Sequence, residues 1–530
     1  MFDDGDGDTG EPSKLDRARP AIETTPSAPA AGPRLSRRSF LRGAVAGGVA
    51  IGVASLGYWG TTYGNRAGSS APQASPSTRP PSPQPSLPAG SRAFRTRPDL
   101  STPLVSMTAP GLNSAPGLIC LTPASGPGPI VVDSSGSPIW INPTSVRAFN
   151  LRVGTYKGSP VLSWWQGIIN KGTGQGEYVL VDETYKEVAR VHAGNGLQGD
   201  LHEFITTPEG TALFTAYTQS PPGTPPPGVT QLLDSVAQEV DIATGRVLFE
   251  WRASEHIGLE ESYATASAGT PFDFFHINSI DVEPDGNLLI SARHTWTVYK
   301  VNRKTGEIMW RLGGKHSDFE MGAGTQFAWQ HDARRQPDGS ITLFDDGSNG
   351  SKPPTETHSR GLVLHADELT HMATMLRDYG HGGTILALSQ GSMQTLPNGN
   401  VFVGWGDQPF FTEFSADGAI VQDGRLPAVS ASYRALRYTW RGKPTDRPVV
   451  AVDHDDMGGL TVYASWNGAT DVAVWVVLGG DSAANLVPLG SQPRSGFETP
   501  IFIGEQPHLV AVQAVDGSGE ILGQSLPIAG

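Results

Sequence analysis

The chain has 530 residues, too many for one small domain. With Gly 65, Pro 43 and only 17% charged residues, it suits many short strands joined by tight turns better than long charged helices. The formal net charge of −14, with no Lys/Arg-rich run beyond the N-terminal region, argues against nucleic acid as a partner, and the single cysteine, Cys120, excludes an intramolecular disulfide or a cysteine-based zinc site.

The first recognisable segment is an address. Ser36-Arg37-Arg38-Ser39-Phe40-Leu41-Arg42 matches the twin-arginine export pattern, and a Gly/Ala-rich apolar run follows at 43–57. That run is shorter than the ~20 apolar residues a spanning helix needs. Residues 1–66 are therefore expected to hold a polar N-region and an export signal, either cleaved or kept as a membrane tether. The folded part would then lie outside the cytoplasm. Residues 67–95, rich in Pro and Ser, read as an extended linker.

From 96 to 445 a weak repeat sets the architecture. One element is a polar or acidic residue, a Gly-containing turn and an apolar strand often ending in Trp. It runs from Asp133 to Trp140, from Asp241 to Trp251 and from Asn302 to Trp310, with looser copies at Asp182, Asp367 and Asp417. The second element is Pro-acidic/Asn-Gly followed by a strand: Pro208-Glu209-Gly210, Pro284-Asp285-Gly286, Pro337-Asp338-Gly339 and Pro397-Asn398-Gly399. Pro then Gly is turn chemistry. Copies recur at roughly 50–60 residues, in the range of propeller blades. Sheets of this kind bury both faces only by stacking on one another. Six copies predict an all-β, six-bladed β-propeller; a sandwich array or a β-helix is the alternative. Residues 446–530 lack the repeat but keep period-two alternation, and predict a small immunoglobulin-like or fibronectin-like β-sandwich.

Three histidines share one phase of the repeat. His202 and His331 precede their Pro-x-Gly turns by six residues and His276 by eight, so His202, His276 and His331 are expected to face one another around a central channel. Asn278, Arg293, His294 and Arg334 add polar groups nearby. Three imidazoles suit zinc or copper, but no carboxylate occupies the same phase and the arginines oppose a cation. The other chemistry is anionic: neutral His attacks an electrophile while Arg and cationic His neutralise a transferred oxyanion group. Trp329, Phe274, Phe275, Trp296 and Phe327 are candidates for an aromatic pocket wall.

An ordered series of motifs adds to this reading: Phe275-His276-Ile277-Asn278, Ile290-Ser291-Ala292-Arg293, Trp329-Gln330-His331-Asp332-Ala333-Arg334, Leu343-Phe344-Asp345-Asp346-Gly347, Ser359-Arg360, and Gly391-Ser392-Met393-Gln394 through Asn400. The series resembles the bacterial arylsulfotransferases, in particular their actinobacterial and fungal branch, over about 199–440. The resemblance implies a six-bladed propeller that moves a sulfuryl group from a phenolic sulfate ester to a phenol, without a nucleotide sulfate donor or cofactor. It implies His331 as the transiently sulfated nucleophile. His202, His276 and Arg293 would polarise the sulfate oxygens, and Asn278 would orient the site. His294 and Arg334 are further candidates for substrate binding. The enterobacterial members carry an N-terminal sandwich and a disulfide, whereas here the extra module is C-terminal and one cysteine cannot pair. A non-catalytic propeller binding a glycan, peptide or wall polymer, and a metal- or quinone-dependent oxidoreductase, are the competing classes.

Overall fold

The computed structural model describes residues 90–530 apart from 109, 110, 112, 221–228, 230, 268, 269, 353, 384, 429, 456–458 and 505. The expected export signal and most of the linker lie outside the described residues. The end of the stretch read as linker is folded: Ser91–Ala93 pairs with Ser101–Pro103. Phe94 follows it into a core, its ring 4.3 Å from that of Phe497. An aromatic residue with a buried partner ends the linker earlier than Pro/Ser composition alone would place it.

The described chain is all-β. Its helices are two three-residue 3₁₀ turns, Ala253–Glu255 and Leu259–Glu261, and none is long and apolar enough to cross a membrane. The strands form meanders. Ile277–Val282, Leu288–Ala292, Thr297–Val301 and Ile308–Gly313 pair antiparallel in sequence order. His331–Arg335, Ile341–Asp345, Arg360–Asp367 and Met372–Tyr379 repeat the pattern, as do Ser392–Thr395, Val401–Gly404, Phe410–Phe414 and Ile420–Arg425. A nine-stranded sheet contains two more runs, Arg147–Tyr156 to Glu187–Val191 and Gly199–Thr206 to Val247–Arg252. They are joined at the single pair Gly199 and Gly176. In the remaining sheet Leu118–Leu121, Ile130–Val132 and Pro138–Ile141 take a fourth strand from far along the chain, Leu436–Tyr438.

Both repeated sequence elements are turns of these meanders. The Pro-x-Gly element joins a first strand to a second: Gly210, Gly286, Gly339 and Gly399 all have φ between +80° and +86°, which a residue without Cβ adopts at no steric cost. Each donates its N–H to the carbonyl three residues back, as Gly286 does to Glu283 at 2.8 Å. The Asp/Asn element joins a third strand to a fourth; Asn302 Oδ1 accepts the N–H groups of Lys304 and Thr305. Alternation then decides packing. Ile290, Tyr299 and Val301 enter one core with Leu213 and Trp251 of the sheet before. Leu289, Val298 and Leu312 enter another with Ile341 and Leu343 of the sheet after. A sheet covered on both faces needs near-continuous apolar strands, and Leu288–Ala292 and Thr297–Val301 are buried at every residue.

The C-terminal residues form a three-stranded sheet (Val449–His454, Leu460–Ser465, Glu498–Ile503) and a five-stranded one centred on Val474–Gly480 and Leu509–Val515. One core holding Leu460, Val462, Trp475, Val477, Val510 and Val512 lies between them.

Candidate active site

The phase of the repeat brings the three histidines together. His202 lies in Gly199–Thr206, His276 directly precedes Ile277–Val282, and His331 begins His331–Arg335. All three line one cavity of about 440 Å³, with Arg293, His294 and Tyr433. The rings of His202 and His276 are 4.8 Å apart, and those of His276 and His294 4.7 Å. Tyr433 stands between His202 and His331, at 5.6 and 6.4 Å.

The backbone around the cavity is held in an uncommon conformation. His276, Trp296, Trp329, Asp332 and Gln390 all have φ between +52° and +74°, a region that costs side-chain-bearing residues energy and that clusters at functional sites. Cross-bonds fix the corner: Arg293 N–H donates to His276 O and His294 N–H to Phe275 O, both at 3.0 Å.

Each histidine of the trio carries a carboxylate on Nδ1. Asp200 Oδ2 is 2.5 Å from His202, Asp273 Oδ2 is 2.5 Å from His276, and Asp346 Oδ2 is 2.7 Å from His331. No carboxylate shares the phase of the histidines along the chain, yet each histidine has one in space. The partners sit at different offsets, two and three residues before their histidines and fifteen after, so no common spacing marks them. Asp346 lies in a motif already singled out, without that role.

His331 is almost fully buried. Its Nε2 accepts the Gln390 backbone N–H at 3.3 Å, so in the neutral ring the proton sits on Nδ1, toward Asp346. Burial, then Arg293, His202 and His276, push its pKa well below 6.5. His276 is lowered likewise, by burial and by His202 and Arg293. Burial raises the proton affinity of Asp346 well above the ordinary carboxylate range, against the pull of Arg293. Asp200 goes the other way. Burial would raise it, but His202 and the N–H groups of Gly174 and His202 hold it low.

Arg293 reaches the cavity through fixed contacts. Its Nη2 donates to Leu388 O at 2.7 Å, and its Nη1 is 3.1 Å from His294 Nε2. Its guanidinium lies 5.0 Å over the Trp329 ring, while Nε is buried without a partner. His294 donates Nδ1–H to Asp273 O at 2.6 Å, and burial takes its pKa down to about 3. It is a neutral ring that accepts from Arg293. Asp273, His276 and His294 bring potential ligand atoms within 4.8 Å of one another and could hold a metal ion. A cation there would displace Arg293 from His294 and meet its charge.

Two expected residues lie elsewhere. Asn278 is fully buried and donates from Nδ2 to Gln330 O at 2.6 Å, tying neighbouring first strands just before His331. Arg334 pairs with Glu203 and with Asp332 (2.7 Å) and donates to Ile280 O. Neither lines the cavity. A β-bulge follows His276 and His331, between Ile277 and Ser279 and between His331 and Arg334. It turns the next side chains into the wall. Arg334 belongs to a buried charged hub with Glu203, Asp332, Arg152 and Arg434.

The aromatic wall is also different. Phe274 and Phe275 are fully buried in a hydrophobic core and Phe327 in another. Trp296 stacks on Tyr263, and Trp329 supports Arg293. The apolar lining of the cavity is Phe149, Ile169, Leu201 and Tyr433.

The family model described as Arylsulfotransferase (ASST) matches residues 152–426. No curated protein matches the chain. Among solved structures, a protein of unknown function from Bacteroides caccae is 11% identical with a TM-score of 0.39, covering 61% of this chain and 100% of that one. A protein from Lactobacillus plantarum is 13% identical with a TM-score of 0.33, covering 73% and 99%. Virginiamycin B lyase from Staphylococcus aureus is 8% identical with a TM-score of 0.30, covering 68% and 94%. At these scores the three carry no argument about this site.

Proposed function

The chain belongs to the arylsulfotransferase family, and on that premise we propose that it moves a sulfuryl group from a phenolic sulfate ester to a phenol through a sulfated His331. The observation that carries this is the set of hydrogen bonds of His331. A buried, neutral imidazole with its Nδ1 proton toward Asp346 keeps its lone pair on Nε2, where the Gln390 N–H donates and gives way before attack.

In the first half-reaction that lone pair forms the N–S bond as the S–O bond to the ring breaks. The bonding pair leaves on the phenolate oxygen. Positive charge on the imidazole is met by Asp346, which accepts from Nδ1–H at 2.7 Å. His202, backed by a carboxylate held ionised, gives the phenolate its proton. Arg293 carries the positive charge that meets the sulfuryl oxygens, with His276 beside it in the cavity, as in phosphoryl transfer. In the second half-reaction His202 takes a proton from the acceptor phenol, whose oxygen attacks sulfur and frees His331. Kinetics are ping-pong, with no nucleotide donor.

The same reading makes residues 96–445 a six-bladed propeller. Closure of the Leu118–Leu121 sheet by Leu436–Tyr438 supports it, as does the cavity set among the first strands of successive meanders. The two-sheet C-terminal unit is read as an immunoglobulin-like sandwich, and the N-terminal segment as a twin-arginine signal that exports or tethers the enzyme.

The test is a chromogenic aryl sulfate with and without a phenol acceptor. Chromogen release is expected to need the acceptor beyond the first turnover. A sulfated peptide containing His331 is expected when acceptor is withheld, and His331→Asn removes both. Steady release without acceptor means a sulfatase. No release, with binding of a glycan or peptide instead, means a non-catalytic propeller. A sulfated residue other than His331 overturns the assignment.

A further inference from the structure

Besides the catalytic groups, the cavity is lined by Phe149, Ile169 and Leu201 and by the turn Lys171-Gly172. That turn joins Ser159–Asn170 to Thr173–Val181, and Asn170 pairs with Thr173. With φ of +48° at Lys171 and +93° at Gly172, it is a two-residue turn of the I′ kind.

This hairpin is fastened to the strand that carries His202. Gly174 N–H donates to Asp200 Oδ1 at 2.5 Å, and Trp165 Nε1–H donates to Gly199 O at 2.9 Å. A Cβ on Gly174 would lie 2.6 Å from the Trp165 ring and 2.9 Å from Leu201 N, so only glycine permits the approach. The position of Lys171 is therefore set by the same carboxylate that orients His202. Its side chain is exposed and, among the described residues, has no hydrogen-bond or ion-pair partner. The one carboxylate lining the cavity, Asp273, is taken by His276.

We propose that Lys171 selects aryl substrates that carry a second anionic group, a carboxylate or sulfonate, on the ring away from the transferred sulfuryl. This rests on the sulfotransferase reading of the cavity. Arg293 and the histidines already provide for the sulfuryl oxygens, so the Lys171 ammonium is a further positive charge at the same cavity. A chain of net charge −14 does not draw in doubly anionic substrates through its overall field, so any preference for them must be local. A flexible four-carbon stem lets the ammonium reach the substituent while the turn stays fixed.

The experiment compares kcat/KM for 4-(sulfooxy)benzoate and its neutral methyl ester. Lys171→Asn removes the charge with a residue this turn accepts well, and Lys171→Glu reverses it. Lys157→Asn is the control, because Lys157-Gly158 (φ +51° and +77°) forms the same turn at the other end of the strand Ser159–Asn170. The ratio of acid to ester is expected to fall about fivefold in Lys171→Asn, the upper range for an exposed ion pair. It falls further in Lys171→Glu, stays unchanged in Lys157→Asn, and shrinks in the wild type as salt is raised. An unmoved ratio overturns the proposal. So does equal slowing of both esters in Lys171→Asn, which would put the lysine on the sulfuryl group.

Calorimetric binding of 4-hydroxybenzoate and its methyl ester, which carry no sulfuryl group, separates the two readings. Lys171-dependent preference for the benzoate without turnover of any aryl sulfate keeps the subsite and removes the transferase. Absence of that preference in both binding and turnover removes the subsite.

Discussion

In the proposed reaction the two nitrogens of His331 have different partners: Nδ1–H donates to Asp346, and the Nε2 lone pair accepts from the Gln390 amide until substrate takes its place. The direction of its titration has a kinetic consequence. Burial and the neighbouring cations lower its pKa well below 6.5, so the ring stays neutral as pH falls through that value. The acid limb of the acceptor-free burst, followed by stopped flow, is expected below pH 6.5; a limb at or above 6.5 would show that the imidazole is protonated like a solvated one. Sequence reading reached these histidines because phase in a repeat reports position around a ring. It did not report pleat direction, so Asn278 and Arg334 fall behind the wall after bulges. Nor did it report contacts without fixed spacing, so Asp200, Asp273 and Tyr433 were missed. Tyr433 lies after the last copy of the repeat, between Ile420–Arg425 and Leu436–Tyr438, where no motif draws attention to it.

Strand and turn chemistry were the most legible layer. Pro-x-Gly and Asp/Asn turns recur where the structure has them because only a few residue types accept those dihedrals. The strand that completes the first sheet was not legible. Leu436–Tyr438 has three residues and no turn signature of its own, and its identity comes from pairing with Leu118–Leu121. Arg437 within it donates to Ala115 O at 2.6 Å and pairs with Glu413 at 3.5 Å. A chain ending at Ala435 is therefore expected to lose the single sharp unfolding transition in calorimetry, whereas a chain ending at Thr445, which lacks the C-terminal sheets but keeps the strand, retains one. Equal behaviour of the two truncations would mean that the strand is dispensable.

At the scale of the molecule, the charged hub touches the first strands of five meanders, and Arg434 lies two residues before Leu436–Tyr438. Glu203 pairs with Arg152 (2.6 Å), Arg434 (3.0 Å) and Arg334. Arg434 also donates to Asn278 O, and Asp332 accepts from Met393 N–H. Burial alone would raise the Glu203 carboxyl, but Arg334, Arg434 and Arg152 hold it far below its usual range. Its stabilising contribution is present above the unfolded value of about 4.5 and lost only as pH falls toward the lowered one. Glu203→Gln, which leaves three buried guanidiniums short of their anion, is expected to cost about 3–5 kcal/mol in urea denaturation. A loss within about 0.5 kcal/mol would show that Asp332 suffices. Composition gave no hint of this hub, since its members are scattered from 152 to 434 and ordinary in type. The late strand also bears on how the protein is made. A ribosome releases Leu118–Leu121 early and Leu436–Tyr438 near the end, so for most of translation the first sheet carries an open edge able to pair with another nascent chain. The first sheet is therefore completed only after Leu436–Tyr438 has emerged, and this interval is where slowed synthesis or the absence of a chaperone is expected to divert the chain into aggregates.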